Sequence, residues 1–257
     1  MDKASIGGAV LAIAGIIAGL LIEGGNLSQI VQPTAALIVF GGTFGAVLLQ
    51  FPLATVGAAF RSLAHVFIEP QNRTGELIRQ LVAYANKARR EGVVSLDSDL
   101  EIITDPFLKQ TLMLAVDGTE PAELRKIMRV TLDSASEREE HLPAVFESAG
   151  GFSPTIGILG AVLGLIQVMQ HLDNINEVGR GIAVAFVATI YGVGVANLFF
   201  LPFAGKMRLL LREDHLRREM VLEGIISILE GMNPRMLEVK LSGFLKDSDE
   251  QKKEKSL

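Results

Sequence analysis

An all-α, polytopic membrane protein with four transmembrane helices, and a helical cytoplasmic domain between the second and third, is the fold class this 257-residue sequence predicts. Three observations carry it. Four stretches, 4–22, 24–60, 148–172 and 181–205, contain no Asp, Glu, Lys or Arg. Each supplies, within a residue or two, the roughly 20 apolar residues that cross a bilayer core. Lys and Arg, meanwhile, are concentrated elsewhere: segment 51–152 holds eleven and the chain after Gly205 another eleven, whereas the short loops 23–30 and 173–180 hold only Arg180.

Element by element, the first run is as long as a full span, and Asp2 sits beside Lys3 ahead of it, which is not the build of a cleaved signal peptide. The second run is longer than one crossing needs. Its membrane part is placed at 31–50 and ended by Phe51-Pro52, because proline removes a helical N–H and disfavours helix in the residue before it. The charge asymmetry then puts both termini and the large central segment on the cytoplasmic side. This gives a domain organisation of 1–50 (helices 1 and 2), 51–152 (cytoplasmic helical domain), 153–205 (helices 3 and 4) and 206–257 (cytoplasmic helix and tail). The net charge of −5 lies mostly in the cytoplasmic part and keeps it soluble.

Inside that cytoplasmic segment the periodicity is helical. From Thr74, the apolar positions Leu77, Leu81, Tyr84, Ala85 and Ala88 recur on one face, and Gly92 is placed to terminate them. A further helix is expected to start at Glu120-Pro121, with Leu124, Ile127, Met128 and Leu132 as its buried stripe. Gly150-Gly151 then marks the approach to the third span. The polar end of the chain, 247–257, has the composition of a disordered tail.

Most enzyme chemistry has no foothold here. The sequence contains no P-loop, no nucleophile elbow, no glycine-rich dinucleotide turn after a strand and no His/Cys metal cluster. Its four histidines, at 65, 141, 171 and 215, are scattered, and the absence of cysteine removes thiol chemistry and disulfides. The expectation is a protein that is not an enzyme, with no catalytic residue, bound metal or cofactor, and with no nucleic-acid partner.

What the spans do offer is small residues. Gly15 and Gly19, Gly41 and Gly45, Gly160 and Gly164, and the series Ala188, Gly192, Ala196 each fall on one helix face. Such faces let membrane helices approach closely, so a bundle or an oligomer is expected. Polar groups at membrane depth are few: Thr43, Thr155, Gln167, Thr189, Tyr191 and Asn197. Each Thr hydroxyl can bond back to its own helix. Taken together, Thr155 and Thr189 can also line a wet path that carries no charge. A proton relay needs a titratable group in the membrane, so either the chain conducts nothing or a partner brings the carboxylate.

Segments 153–165, SPTIGILGAVLGL, and 179–192, GRGIAVAFVATIYG, resemble the third and fourth spans of the MotA/PomA flagellar stator family, within the wider MotA/TolQ/ExbB proton channel family. The motif ARREGVVSLD at 88–97 resembles that family's cytoplasmic charged segment. The likeness extends over nearly the whole chain: two early spans, a cytoplasmic insert, two late spans and a basic tail.

The resemblance implies a multi-pass protein of the bacterial inner membrane, in contact with membrane lipids. It implies a homo-oligomeric ring, a pentamer, around a dimer of a MotB-type single-span subunit whose membrane aspartate carries the ion. Ion flow would turn the ring against the rotor switch protein FliG. By position, the resemblance makes Pro154 and Pro202 hinge prolines at the inner ends of the third and fourth spans, and Thr189 the path threonine. It makes Arg89 and Asp97 the rotor-facing charges, with Arg90 and Glu101 beside them. Ala161, where sodium-driven members tend to carry a hydroxyl, implies H+ as the transported ion. Two other classes remain open: a TolQ/ExbB-like energiser of an envelope transport system, which would have a single span ahead of its cytoplasmic insert, and a stand-alone membrane transporter, which would keep an ionisable or broken-helix site near the midplane.

Overall fold

A computed structural model describes residues 2–68 and 74–254, and no strand occurs among them. The helices are α1 (Lys3–Ile22), α2 (Pro33–Gln50), α3 (Leu53–Val66), α4 (Thr74–Glu91), α5 (Pro106–Val116), α6 (Pro121–Gln170), α7 (Ile175–Val195), α8 (Leu201–Leu229) and α9 (Pro234–Glu254). Short 3-10 segments occupy Leu27–Ile30 and Val93–Asp99, and a π turn, Ala196–Phe200, joins α7 to α8 without interruption. Among the described residues, four helical stretches are long and apolar enough to cross a membrane: α1, α2, α6 and the continuous Ile175–Leu229.

The chain divides into two compact units, Met1–Pro70 with Glu139–Leu209, and Gln71–Arg138 with Leu210–Leu257. The division does not fall at the ends of the spans. α3, which the sequence boundaries assign to the cytoplasmic segment, buries Val56, Ala59 and Val66 in the first unit against Val145, Phe146 and Ala204. Its apolar pattern continues past the Pro52 break. The break itself is as expected, with Phe51 extended at φ −122 and ψ 144.

The third span is likewise not a separate helix. Gly150-Gly151 interrupts nothing, and α6 runs unbroken over 50 residues with Pro143 and Pro154 inside it. Gly150 instead serves close packing: a Cβ there would stand 2.6 Å from the Leu201 side chain.

Within the first unit, small residues seat α7 on α6. A Cβ on Gly164 would meet Gly181 O at 2.7 Å, one on Gly157 would meet Ala188 O at 2.9 Å, and one on Gly192 would meet Ser153 O at 2.5 Å. These are backbone-to-backbone approaches that no side chain permits. The same does not hold for every small-residue pair in the sequence. Gly15, Gly19, Gly41 and Gly45 have no neighbour within 4 Å of a Cβ, and α1 buries none of its residues. On α2 it is Gly42 that closes on Ile156, while Ala35, Val39, Thr43 and Val47 form that helix's buried stripe. α1 is tied at its start, where Asp2 N–H donates to Phe67 O and the Asp2 carboxylate accepts from Ser5 and pairs with Lys206.

The second unit has its own core. Ile78, Leu81, Tyr84 and Ala85 of α4 pack with Leu108 and Leu112 of α5, Leu124 and Met128 of α6, Met220, Ile225 and Ile226 of α8, and Leu237 and Leu241 of α9. The stripes read from 74–88 and 121–132 are thus largely its core positions, although Ile127 is exposed. The composition of the tail predicts disorder, yet the backbone stays helical through Glu254; residues 255–257 lie outside the described residues.

Candidate functional sites

Two sets of residues stand out, one in each unit. In the first, the glycine contacts fix the register of α7 on α6. A Cβ on Gly160 would touch Ala188 Cβ at 2.7 Å, so Ala161 and Thr189, the neighbours of these two residues, lie at one level of the hairpin. Thr155 lies nearly two turns away along α6, two residues from Gly157, which faces Gly192. Thr155 is exposed and Thr189 half-buried. Both hydroxyls bond their own helix: Thr189 Oγ1 donates to Ala185 O at 3.2 Å and Thr155 Oγ1 to Phe152 O at 2.8 Å. A hydroxyl that donates to its helix keeps its lone pairs available, so each can still accept from water or an acid. Ala161 brings no oxygen to this level.

The polar bonds that cross between elements belong to residues with no assigned part in the sequence reading. Ser153 Oγ donates to Gly192 O at 3.0 Å with Ser153 1% exposed. Tyr191 Oη donates to Ile30 O at 2.5 Å and accepts from Gln32 N–H at 3.2 Å, which satisfies backbone groups between the 3-10 segment and α2. Lys206 Nζ donates to Ser5 Oγ at 2.8 Å in the Asp2 cluster. The sequence signal for this last one was present: a lysine directly after a charge-free run, and an Asp-x-x-Ser at the start of another. Pro154 lies inside α6 and Pro202 is the second residue of α8, directly after the π turn.

In the second unit α4 ends at Glu91, and Gly92 takes φ +85, a conformation closed to other residues without strain. The chain then folds back as the 3-10 segment Val93–Asp99. Leu96 points into the core at 0% exposure, and Lys87 clasps Asp99 at 2.6 Å and Ser98 at 3.0 Å. With the segment held from inside, Arg89, Arg90, Asp97 and Glu101 are all exposed. None of the four makes an ion pair among the described residues, so their charges are available to a partner.

The best-paired carboxylate of this unit lies elsewhere. Burial pushes the Glu223 carboxyl upward, but hydrogen bonds from Arg125 and Lys240 outweigh it and hold the group below its ordinary range. Burial raises the Tyr84 phenol, against a hydrogen bond from Gln80 at 2.6 Å. Among the described residues no group of three or more His, Asp or Glu is gathered as a metal site would require.

Comparison with known proteins identifies relatives of this chain. Residues 6–92 match the family model for the motility protein A N-terminal region, and residues 99–220 match that of the MotA/TolQ/ExbB proton channel family. Motility protein A of Bacillus subtilis is 36% identical over 250 residues, covering 97% of this chain and 93% of its own length. The chain belongs to the motility protein A family of flagellar stator subunits. The flagellar MotAB stator complex from Bacillus subtilis contains a chain 37% identical, with a TM-score of 0.87 over 98% of this chain and 99% of that one. The Campylobacter jejuni MotAB structure gives 0.89 at 33% identity, over 95% and 96%. As a stator subunit, the chain is a multi-pass membrane protein of the flagellar motor.

Proposed function

We propose that this stator subunit is driven by protons and works as a ring, a pentamer of this chain, around a MotB-type single-span partner in the bacterial inner membrane. Both termini are cytoplasmic in this reading. The observation that carries it is the α6–α7 hairpin. Its glycine contacts set Thr189 and Ala161 at one level, on spans with no acid or base of their own. Such a wall accepts a proton carrier from elsewhere and cannot itself carry one.

The partner's membrane carboxyl supplies the titratable group, and Thr189 accepts a hydrogen bond from it or from its water. Thr155 lines the path nearer the cytoplasm. A desolvated sodium ion needs several oxygen ligands, and Ala161 supplies none, which favours H+ as the transported ion. Protonation of the partner relaxes a charge beside the hairpin, and Pro154 and Pro202 let the inner ends of the two spans follow. Arg89, Arg90, Asp97 and Glu101 then meet complementary charges on the rotor switch protein FliG, over a range set by the Debye length. The subunit needs no catalytic residue and no cofactor for this work, binds membrane lipids on its outer face and has no nucleic-acid partner. Proton influx measured with and without a MotB-type partner tests the proposal: influx is expected only with the partner, and influx from this chain alone contradicts it.

A further inference from the structure

The fourth span is not a uniform helix, and its irregular turn is bonded in a way that the ion path does not require. At the end of α7 the Ala196 N–H is shared between Gly192 O and Val193 O. Leu201 N–H then reaches Ala196 O, five residues back. The hydrogen-bond ladder therefore takes in one extra residue between Ala196 and Phe200. Wide turns of this kind are rare and recur at functional sites. Pro202 follows at once and has no N–H, so neither Leu198 O, four residues back, nor Asn197 O, five residues back, receives a donor from it.

Two side chains cover the carbonyls above the turn. Ser153, buried on α6 beside Pro154, donates to Gly192 O at 3.0 Å. Asn197 Nδ2 donates to Val193 O at 2.9 Å, the carbonyl that its own backbone N–H would serve in an unbroken α-helix. Gly192 O and Val193 O share the one Ala196 N–H, and each takes a second donor from a side chain. The wide turn is thus flanked by two side-chain donors, one of which comes from the neighbouring span.

We infer that Ala196–Phe200 is a register switch in the fourth span, latched by the Ser153 hydroxyl and the Asn197 amide, which alternates between this wide turn and a regular α-turn during the ion cycle. The inference rests on the stator reading and deepens it, because it gives Pro202 a mechanical partner. Taking one residue into or out of the ladder turns the helix beyond it by about 100° and shifts it by about 1.5 Å. Thr189 and Gly192 lie on one side of the turn, and the buried Ala204 and Met207 lie on the other. Ser153 acts here as a positioning residue: it touches no ion, and it ties the Pro154 turn of α6 to the switch.

Deletion of Leu198 tests this directly. The turn carries one residue in excess, so its removal restores an α ladder while Ala204 and Met207 keep the faces they now bury. Deletion of Ile190, within the regular part of α7, instead rotates everything after it. In the complex with a MotB-type partner, the Leu198 deletion is expected to assemble with the yield and thermal midpoint of the unaltered complex and to lose stall torque, while the Ile190 deletion fails to assemble. Ser153→Ala and Asn197→Leu are expected to assemble and lose part of the torque, and Ser153→Thr, which keeps the donor, to recover it. Normal torque from the Leu198 deletion overturns the inference. So does an assembly failure equal to that of the Ile190 deletion, since the turn then holds no excess residue. If the unaltered complex passes no protons, the stator reading fails, and the contrast in assembly between the two deletions still decides whether the turn is an insertion.

Discussion

Gly192→Ala tests the packing that sets the register of Thr189 and Ala161, the proposed ion-path residues. The added methyl would stand 2.5 Å from Ser153 O, 3.0 Å from Gly157 Cα and 3.3 Å from Gly157 N, all backbone atoms of α6. Ordinary contact begins at 3.4 Å, so α6 and α7 must part by close to an ångström at this point. Overpacking of this kind costs about 1–3 kcal/mol. The parting also breaks the Ser153-to-Gly192 bond, worth about 0.5–1.5 kcal/mol. Against this, alanine is the better helix former by about 0.5–1 kcal/mol. The net expectation is a destabilisation of about 2 kcal/mol. Gly194→Ala is the matched control, since a Cβ at Gly194 has nothing within 4 Å and only the propensity gain applies. The assay is the thermal midpoint of the purified complex in mild detergent, read beside its proton conductance. Gly192→Ala should melt lower than the parent and conduct poorly, and Gly194→Ala should melt at or above it. If the two variants melt within about 0.5 kcal/mol of each other, the spread of an ordinary surface substitution, the close α6–α7 approach is not what holds the hairpin.

Thr189→Val keeps the volume and removes the hydroxyl, so ring assembly should persist while partner-dependent proton influx falls sharply; undiminished influx would mean that Thr189 does no more than bond Ala185 O. Arg89→Glu combined with Asp97→Lys should leave assembly and influx intact, because exposed charges contribute about 0–1 kcal/mol to folding, and should impair swimming and recruitment to the motor; unchanged swimming reduces these residues to a solvated surface. Glu223, held below the ordinary carboxylate range by Arg125 and Lys240, contributes stability that is complete above that range and is lost as pH falls through its lowered folded value. Glu223→Gln should therefore lower the thermal midpoint at neutral pH, by about 1 kcal/mol or less for a partly exposed pair, and flatten its acid limb; an acid limb unchanged by the substitution refutes the assignment.

The spans were legible because hydrocarbon demands length and excludes charge, and both are visible in a single sequence. The stripes 77–88 and 124–132 were legible for a similar reason, since a helix that buries one face must repeat it. What did not show was continuity. Gly150-Gly151 reads as the approach to the third span, yet glycine in a membrane helix equally serves close packing, and here Gly150 admits Leu201. Nothing local distinguishes those two uses. Phe51-Pro52 ends α2, and Val56, Ala59 and Val66 carry the apolar pattern on beyond it into the core of the first unit. The wide turn at Ala196–Phe200 left only Pro202 and Asn197 as traces, and its second latch, Ser153, lies 39 residues from its acceptor, a pairing that only the helix register reveals. The exposed charges Arg89, Arg90, Asp97 and Glu101 were readable as a motif, but the Lys87 clasp and the Leu96 anchor that hold them outward were not.

The central claim is that this chain conducts protons only through a carboxyl it does not possess. Its most direct test is proton influx in vesicles energised by an imposed pH gradient, in sodium-free buffer, with three preparations: this chain alone, this chain with a MotB-type partner, and this chain with the same partner carrying Asn in place of its membrane aspartate. The account predicts influx from the second preparation only. Influx from the chain alone, influx that survives loss of the partner's carboxyl, or influx that appears only when sodium is restored would contradict it.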